Sequence, residues 1–155
     1  MSDFTIIIDT REQKPWEFYD KAVAHRKLDT GDYSIEGMED ILCIERKRGI
    51  AEIALNVTEK RFKDFIERMG KYKHAYILIE ADYKQLMNYP LGSGIPTNVI
   101  NKVKMTPQFI LKCLNELSIN HGIHVIFCGC ASWAETTAYD IMKRVYKKYV
   151  SEDQE

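Results

Sequence analysis

Apolar residues fall in short unbroken runs early in the chain and at helical intervals later, so element order can be read before any chemistry. Phe4-Thr5-Ile6-Ile7-Ile8 is a β-branched run that predicts a buried strand ending at Asp9. Residues 10–16 are polar with Pro15 and predict a loop. A short helix is expected over residues 17–24 and an edge strand over His25 to Leu28. Tyr33-Ser34-Ile35 and Ile41-Leu42-Cys43-Ile44 flank a five-residue turn segment, Glu36 to Asp40. This predicts a hairpin whose second strand runs into Glu45-Arg46-Lys47.

Beyond Lys47 the period changes. Ile50, Ile53, Ala54 and Val57, then Phe62, Phe65, Ile66 and Met69, recur at helical spacing with a break near Thr58. Thr58 is expected to cap the second helix and Gly70 to stop it. Ala75 to Ile79 predicts a second buried strand, and residues 83–88 a helical turn. Tyr89 to Asn98, with two prolines and two glycines, predicts a loop. Thr106-Pro107 opens a helix that Gly122 ends. Ile123 to Cys128 predicts a third buried strand, and Ser132 caps a last helix reaching about Tyr149. Trp133 is expected to pack; Trp16 either closes the core or stacks on an unpaired base. The order predicts an α/β fold, a mixed sheet sandwiched by helices. A single domain is expected over residues 1–150, followed by a frayed acidic tail over 151–155.

Composition narrows the class. No apolar run approaches the ~20 residues of a membrane span, and Met1-Ser2-Asp3-Phe4 begins neither a basic nor an apolar signal region. A cytoplasmic, nucleoid-associated protein with free thiols is the expectation. The formal net charge of -1 argues against coating nucleic acid by bulk charge. Distribution matters more: from Glu45 to Lys73 nine basic side chains face five acidic ones. Lys143, Arg144, Lys147 and Lys148 form a second basic cluster.

The candidate chemistry sits on the hairpin. Asp32 precedes its first strand and Glu45 ends its second, so the turn can bring two carboxylates side by side. Hard cations such as Mg²⁺ take oxygen ligands, one or two of them carboxylates. Glu45 and Lys47, two apart on an extended chain, point to one face. Asp9, at another strand end, can join them. A carboxylate pair beside an ammonium is what metal-assisted phosphodiester hydrolysis needs.

The segments Ile7-Ile8-Asp9-Thr10-Arg11-Glu12, Leu28-Asp29-Thr30-Gly31-Asp32-Tyr33 and Ile44-Glu45-Arg46-Lys47 resemble the nuclease-domain signature of the XPF-type structure-specific endonucleases. That pattern is Gly-Asp, a variable stretch, Glu-Arg-Lys, three residues, then Asp. Ala75 to Glu80 resembles the family's next strand. The resemblance spans roughly residues 4–149 in element order. It implies a restriction-endonuclease-like, PD-(D/E)XK fold and Mg²⁺- or Mn²⁺-dependent cleavage of branched, flapped or forked DNA. It assigns metal binding to Asp32 and Glu45 with Asp9 assisting, catalysis to Lys47, and functional roles to Arg11 and Arg46. It also implies a homodimer, for which the last helix is a candidate surface. Two departures stand out. Ala51 occupies the position of the family's second Asp, with Glu52 one helical step away. The family's C-terminal helix-hairpin-helix module has no counterpart here, so a stand-alone bacterial or viral catalytic domain is expected. A rival reading, a non-enzymatic DNA-binding or scaffolding module, rests on Ala51; the intact Asp9, Asp32, Glu45 and Lys47 argue for the enzyme.

Overall fold

The computed structural model describes residues 3–153. Six strands form one sheet: β1 (Ile6–Ile8), β2 (Val23–His25), β3 (Tyr33–Ile35), β4 (Leu42–Lys47), β5 (His74–Ile79) and β6 (His124–Phe127). Their spatial order is β2-β1-β3-β4-β5-β6. β1 lies parallel to β2 and antiparallel to β3. β3 and β4 form the antiparallel hairpin. β4, β5 and β6 run parallel, in register from Leu42↔His74 to Lys47↔Ile79. The helices are α1 (Ile50–Asn56), α2 (Lys60–Met69), α3 (Tyr83–Asn88), α4 (Thr97–Ile100), α5 (Pro107–His121) and α6 (Ala131–Asp153).

Alternation along the strands divides the core in two. Cys43 of β4 and Ala75, Ile77 and Ile79 of β5 face one side, where Ile53, Ile66, Leu86, Ile110 and Leu114 of α1, α2, α3 and α5 cover them. Ile6 and Ile8, Tyr33 and Ile35, Leu42 and Ile44, and Leu78 face the other. There α6 lays down Ala134, Ala138, Met142 and Val145, with Trp16 and Phe18 from the first loop. Both faces of the central strands are buried, which is why they read as continuous apolar runs.

Several expected elements differ. No helix forms over residues 17–24. Phe18 and Asp20 have φ of 49° and 61°, outside the helical region. Phe18 is instead drawn inward onto Trp16 and Tyr33. The edge strand lies at Val23–His25, not His25 to Leu28. β6 is the opposite edge and only half-buried. Glu59, not Thr58, occupies the cap position of α2. α6 begins at Ala131, with the Cys130 carbonyl accepting from Ala134 N–H at 3.0 Å, so Ser132 lies inside the first turn. α4 falls within and beyond the expected loop. α6 continues to Asp153; of the expected tail, Gln154 and Glu155 lie outside the described residues. Trp133, expected to pack, is 67% exposed.

Candidate active site

The pairing Ile8↔Tyr33↔Ile44 continues one step to set Asp9, Asp32 and Glu45 in a row across β1, β3 and β4. Asp32 is tied on both sides. Its N–H donates to the Ile44 carbonyl and its own carbonyl accepts from Asp9 N–H, both at 2.9 Å. Its Oδ2 accepts the Arg46 main-chain N–H at 2.8 Å. By alternation, Asp32, Glu45 and Lys47 lie on the α1/α2 side of the sheet, with Cys43, while Arg46 faces the other.

Gly31 makes this possible. Its φ is +88°, which an L side chain rarely adopts, and a Cβ there would stand 2.6 Å from Cys43 Sγ and 3.2 Å from the Ile44 carbonyl oxygen. The chain before Asp32 must press against β4, and only glycine lets it.

The carboxylates of Asp32 and Glu45 lie within hydrogen-bonding reach of each other. Burial, then the Glu45 charge and hydrogen bond, hold the Asp32 carboxyl well above the ordinary carboxylate range, against the pull of Arg46 N–H and Lys47. Lys47 Nζ stands 3.3 Å from Glu45 Oε2 and 3.6 Å from Glu52 Oε1. Its side chain is 9% exposed, so this ammonium is held by carboxylates and little water. Glu52 Oε2 also accepts Arg48 N–H at 2.9 Å. Ala51 packs on the apolar cluster beneath α1, so the helix turns Glu52, not Ala51, toward the site.

Asp9 sits in the same row, but its oxygens are taken. Oδ2 accepts Arg11 Nε at 2.8 Å and Arg11 N–H at 3.2 Å; Oδ1 accepts Leu28 N–H at 2.8 Å and Arg11 Nη2 at 3.2 Å. Burial raises the Asp9 carboxyl, but the Arg11 side chain and the Leu28 and Arg11 amides outweigh it and leave it lowered. Arg11, also held by the Leu28 carbonyl at 2.8 Å, keeps 61% of its side chain exposed. It lies in the field of both Asp32 and Glu45. Asp9 thus anchors an arginine at the mouth of the site. Among the described residues no group of three or more His, Cys, Asp or Glu converges as a metal cluster; Asp32 and Glu45 are the neighbouring carboxylates that could hold a cation. Two adjacent half-buried carboxylates fit a hard divalent cation that keeps much of its water.

Arg46 belongs to a different network. Its Nε and Nη2 bond Glu80 at 2.9 and 3.3 Å, and Nη1 donates to the Lys14 carbonyl at 3.0 Å. Trp16 Nε1 donates to the same Glu80 at 2.7 Å. The guanidinium lies 4.8 Å from the Trp16 ring centroid, and Trp16 stacks on Tyr33 at 4.5 Å. Trp16 is therefore a core residue. Glu80 is a site neighbour that the sequence does not single out beyond its place at the end of β5, whereas Glu52 stands one helical step from Ala51.

Residues 8–139 match the family model described as the ERCC4 domain. Among solved structures, the chain is similar to XPF from Aeropyrum pernix, with 16% identity and a TM-score of 0.65, over 92% of this chain and 61% of that one. It is equally similar to XPF from Aeropyrum pernix in complex with DNA, at 16% identity and a TM-score of 0.65, over 94% of this chain and 66% of that one. The chain thus spans about two thirds or less of those proteins, and at this identity the likeness shows the fold: a mixed six-stranded sheet flanked by helices. No curated protein matches.

Proposed function

This chain belongs to the ERCC4 domain family, and from that membership and the geometry of its site we propose that it is a DNA endonuclease, dependent on Mg²⁺ or Mn²⁺, that cuts branched, flapped or forked DNA. The observation that carries the reading is the half-buried Asp32–Glu45 pair, set side by side across β3 and β4, with the buried Lys47 Nζ 3.3 Å from Glu45. The XPF–DNA complex supports the choice of DNA.

Asp32 and Glu45 would hold the cation, which when bound polarises a phosphate oxygen and acidifies water. The chain's own groups do the rest. Lys47, gripped by Glu45 and Glu52, orients the attacking water and offsets charge gathering on phosphorus. Arg11, aimed by Asp9, offers its exposed guanidinium to a phosphate oxygen of the bound strand. Asp9 acts through Arg11. Arg46 positions: its main-chain N–H fixes the Asp32 carboxylate, and its side chain locks β4 to Glu80.

Incubation of labelled flap, fork, four-way and linear DNA with Mg²⁺, Mn²⁺ or EDTA tests this. Cleavage is expected with either ion, none in EDTA, and none from Asp32→Asn or Glu45→Gln with either ion. A protein that binds branched DNA and cuts nothing under any ion is instead the non-enzymatic DNA-binding module.

A further inference from the structure

Next to the carboxylate pair a hollow of about 240 Å³ opens between the end of β4 and α2, with Glu45 and Lys47 on its lining. Phe62, Phe65, Arg61 and Arg68 of α2 line the rest, with Asn56 and Glu59. The two phenylalanine rings stack at 6.1 Å between centroids and 28° between planes. Lys47 Nζ lies 5.5 Å from the Phe62 centroid, and the Arg68 guanidinium 5.9 Å from that of Phe65. A run of cation, ring, ring and cation therefore starts at the proposed catalytic lysine and leads away along one face of α2.

Core packing accounts for only part of this. Phe62 and Phe65 touch the apolar cluster yet remain half-buried, standing at the rim of a charged hollow. Arg61 is 90% exposed and paired only loosely with Glu59, at 3.4 Å. Asn56 Oδ1 has no hydrogen-bond partner among the described residues. Aromatic faces interleaved with arginines are the means by which proteins hold single strands: rings take the base faces and cations the phosphates. Paired DNA hides its base faces in its own stack, and a duplex is too wide for this hollow.

We propose that the hollow binds an unpaired DNA strand adjoining the scissile phosphate, with bases on Phe62 and Phe65 and neighbouring phosphates on Arg61 and Arg68. Its position beside the cut bond rests on the nuclease reading; the binding itself does not. The face would let the protein recognise where a duplex ends by holding the strand that has left it.

The test is binding in Ca²⁺, with 2-aminopurine placed in the unpaired arm of a fork beside the junction, against fully paired DNA of equal length. The parent protein should quench the 2-aminopurine and prefer the fork. Phe65→Leu keeps the aliphatic packing and removes the ring. It should lose the quenching and weaken fork binding roughly tenfold while duplex affinity holds. Arg61→Ala, at an exposed position where folding is not at stake, should weaken fork binding and reduce its salt slope by about one. No quenching by the parent protein, or equal losses on fork and duplex in both variants, overturns the proposal. Cleavage is scored separately: a protein that cuts nothing with Mg²⁺ or Mn²⁺ yet quenches the unpaired arm sinks the nuclease reading and upholds this one.

Discussion

Arg46 and Lys47 are adjacent in the chain and opposite in task, because alternation along β4 sends them to different faces. Lys47 reaches Glu45 and Glu52, where in the proposed reaction its charge would matter most as the phosphate becomes more negative. Lys47→Ala should lower the cleavage rate roughly a hundredfold or more while leaving DNA affinity nearly unchanged; single-turnover rates and fluorescence anisotropy read the two. Arg46 and Glu80 are 8% and 7% exposed. Arg46→Ala strands a buried carboxylate, so urea unfolding should show a loss of about 3–5 kcal/mol. The shared face of Glu45 and Lys47 is legible in their two-residue spacing. The Arg46 contact is not, since the partner lies 34 residues away and depends on the β4–β5 register. Asp32 adds a pH signature. Its carboxyl keeps a proton in the folded, metal-free protein that the unfolded chain releases above 3.8. Its favourable contribution is complete below that value and is lost as pH rises through the elevated folded value. Melting temperatures in EDTA should therefore fall from about pH 5 to about pH 8 by an amount that Asp32→Asn removes. Mn²⁺ should restore stability most at the upper end, where the carboxyl ionises readily.

At the scale of elements, the hairpin is the working part and Gly31 its tightest point. Gly31→Ala combines a left-handed backbone with a methyl group driven into Cys43. It should cost about 1–3 kcal/mol of stability and slow cleavage by displacing Asp32. Adding Cys43→Ala should return part of both, since it removes the nearest atom but not the backbone strain; thermal melts and rates on the double variant check this. β1, β4 and β5 could be read directly because their buried stretches are short apolar runs, and β3 because it faces β4 across a five-residue turn segment. The stretch over residues 17–24 could not. Its alternatives are decided by Trp16 and Phe18 packing on Tyr33, a contact between distant segments that overrides local propensity. The departure at Ala51 is also resolved by packing. The phase of α1, set by Ile50, Ile53 and Ala54 against the core, leaves Ala51 at the edge of the apolar cluster and delivers Glu52 to Lys47.

For the whole molecule, the two faces of the sheet have different loads. Four helices cover the side that carries Asp32, Glu45 and Lys47; α6, with Trp16 and Phe18 of the first loop, covers the other. The apolar stripe of α6 is spent inside, with Ala134, Ala138 and Met142 fully buried. The homodimer implied by the family resemblance would need a different surface. Light scattering at high concentration should then give twice 18.1 kDa; a mass of one chain throughout removes the dimer.

The junction of β4 with β5 has one more consequence. Six residues of each strand pair there, Glu80 N–H donates to the Lys47 carbonyl at 2.8 Å, and Arg46 grips Glu80 across it. Every group proposed for catalysis lies at or before β4, and β5 contributes Glu80, which holds Arg46. The second half of the chain serves as a brace: without it β4 is an open edge whose charged end has nothing to lean on. A chain nicked in the exposed turn at Lys71 should therefore melt at a lower temperature than the intact protein, which thermal denaturation checks.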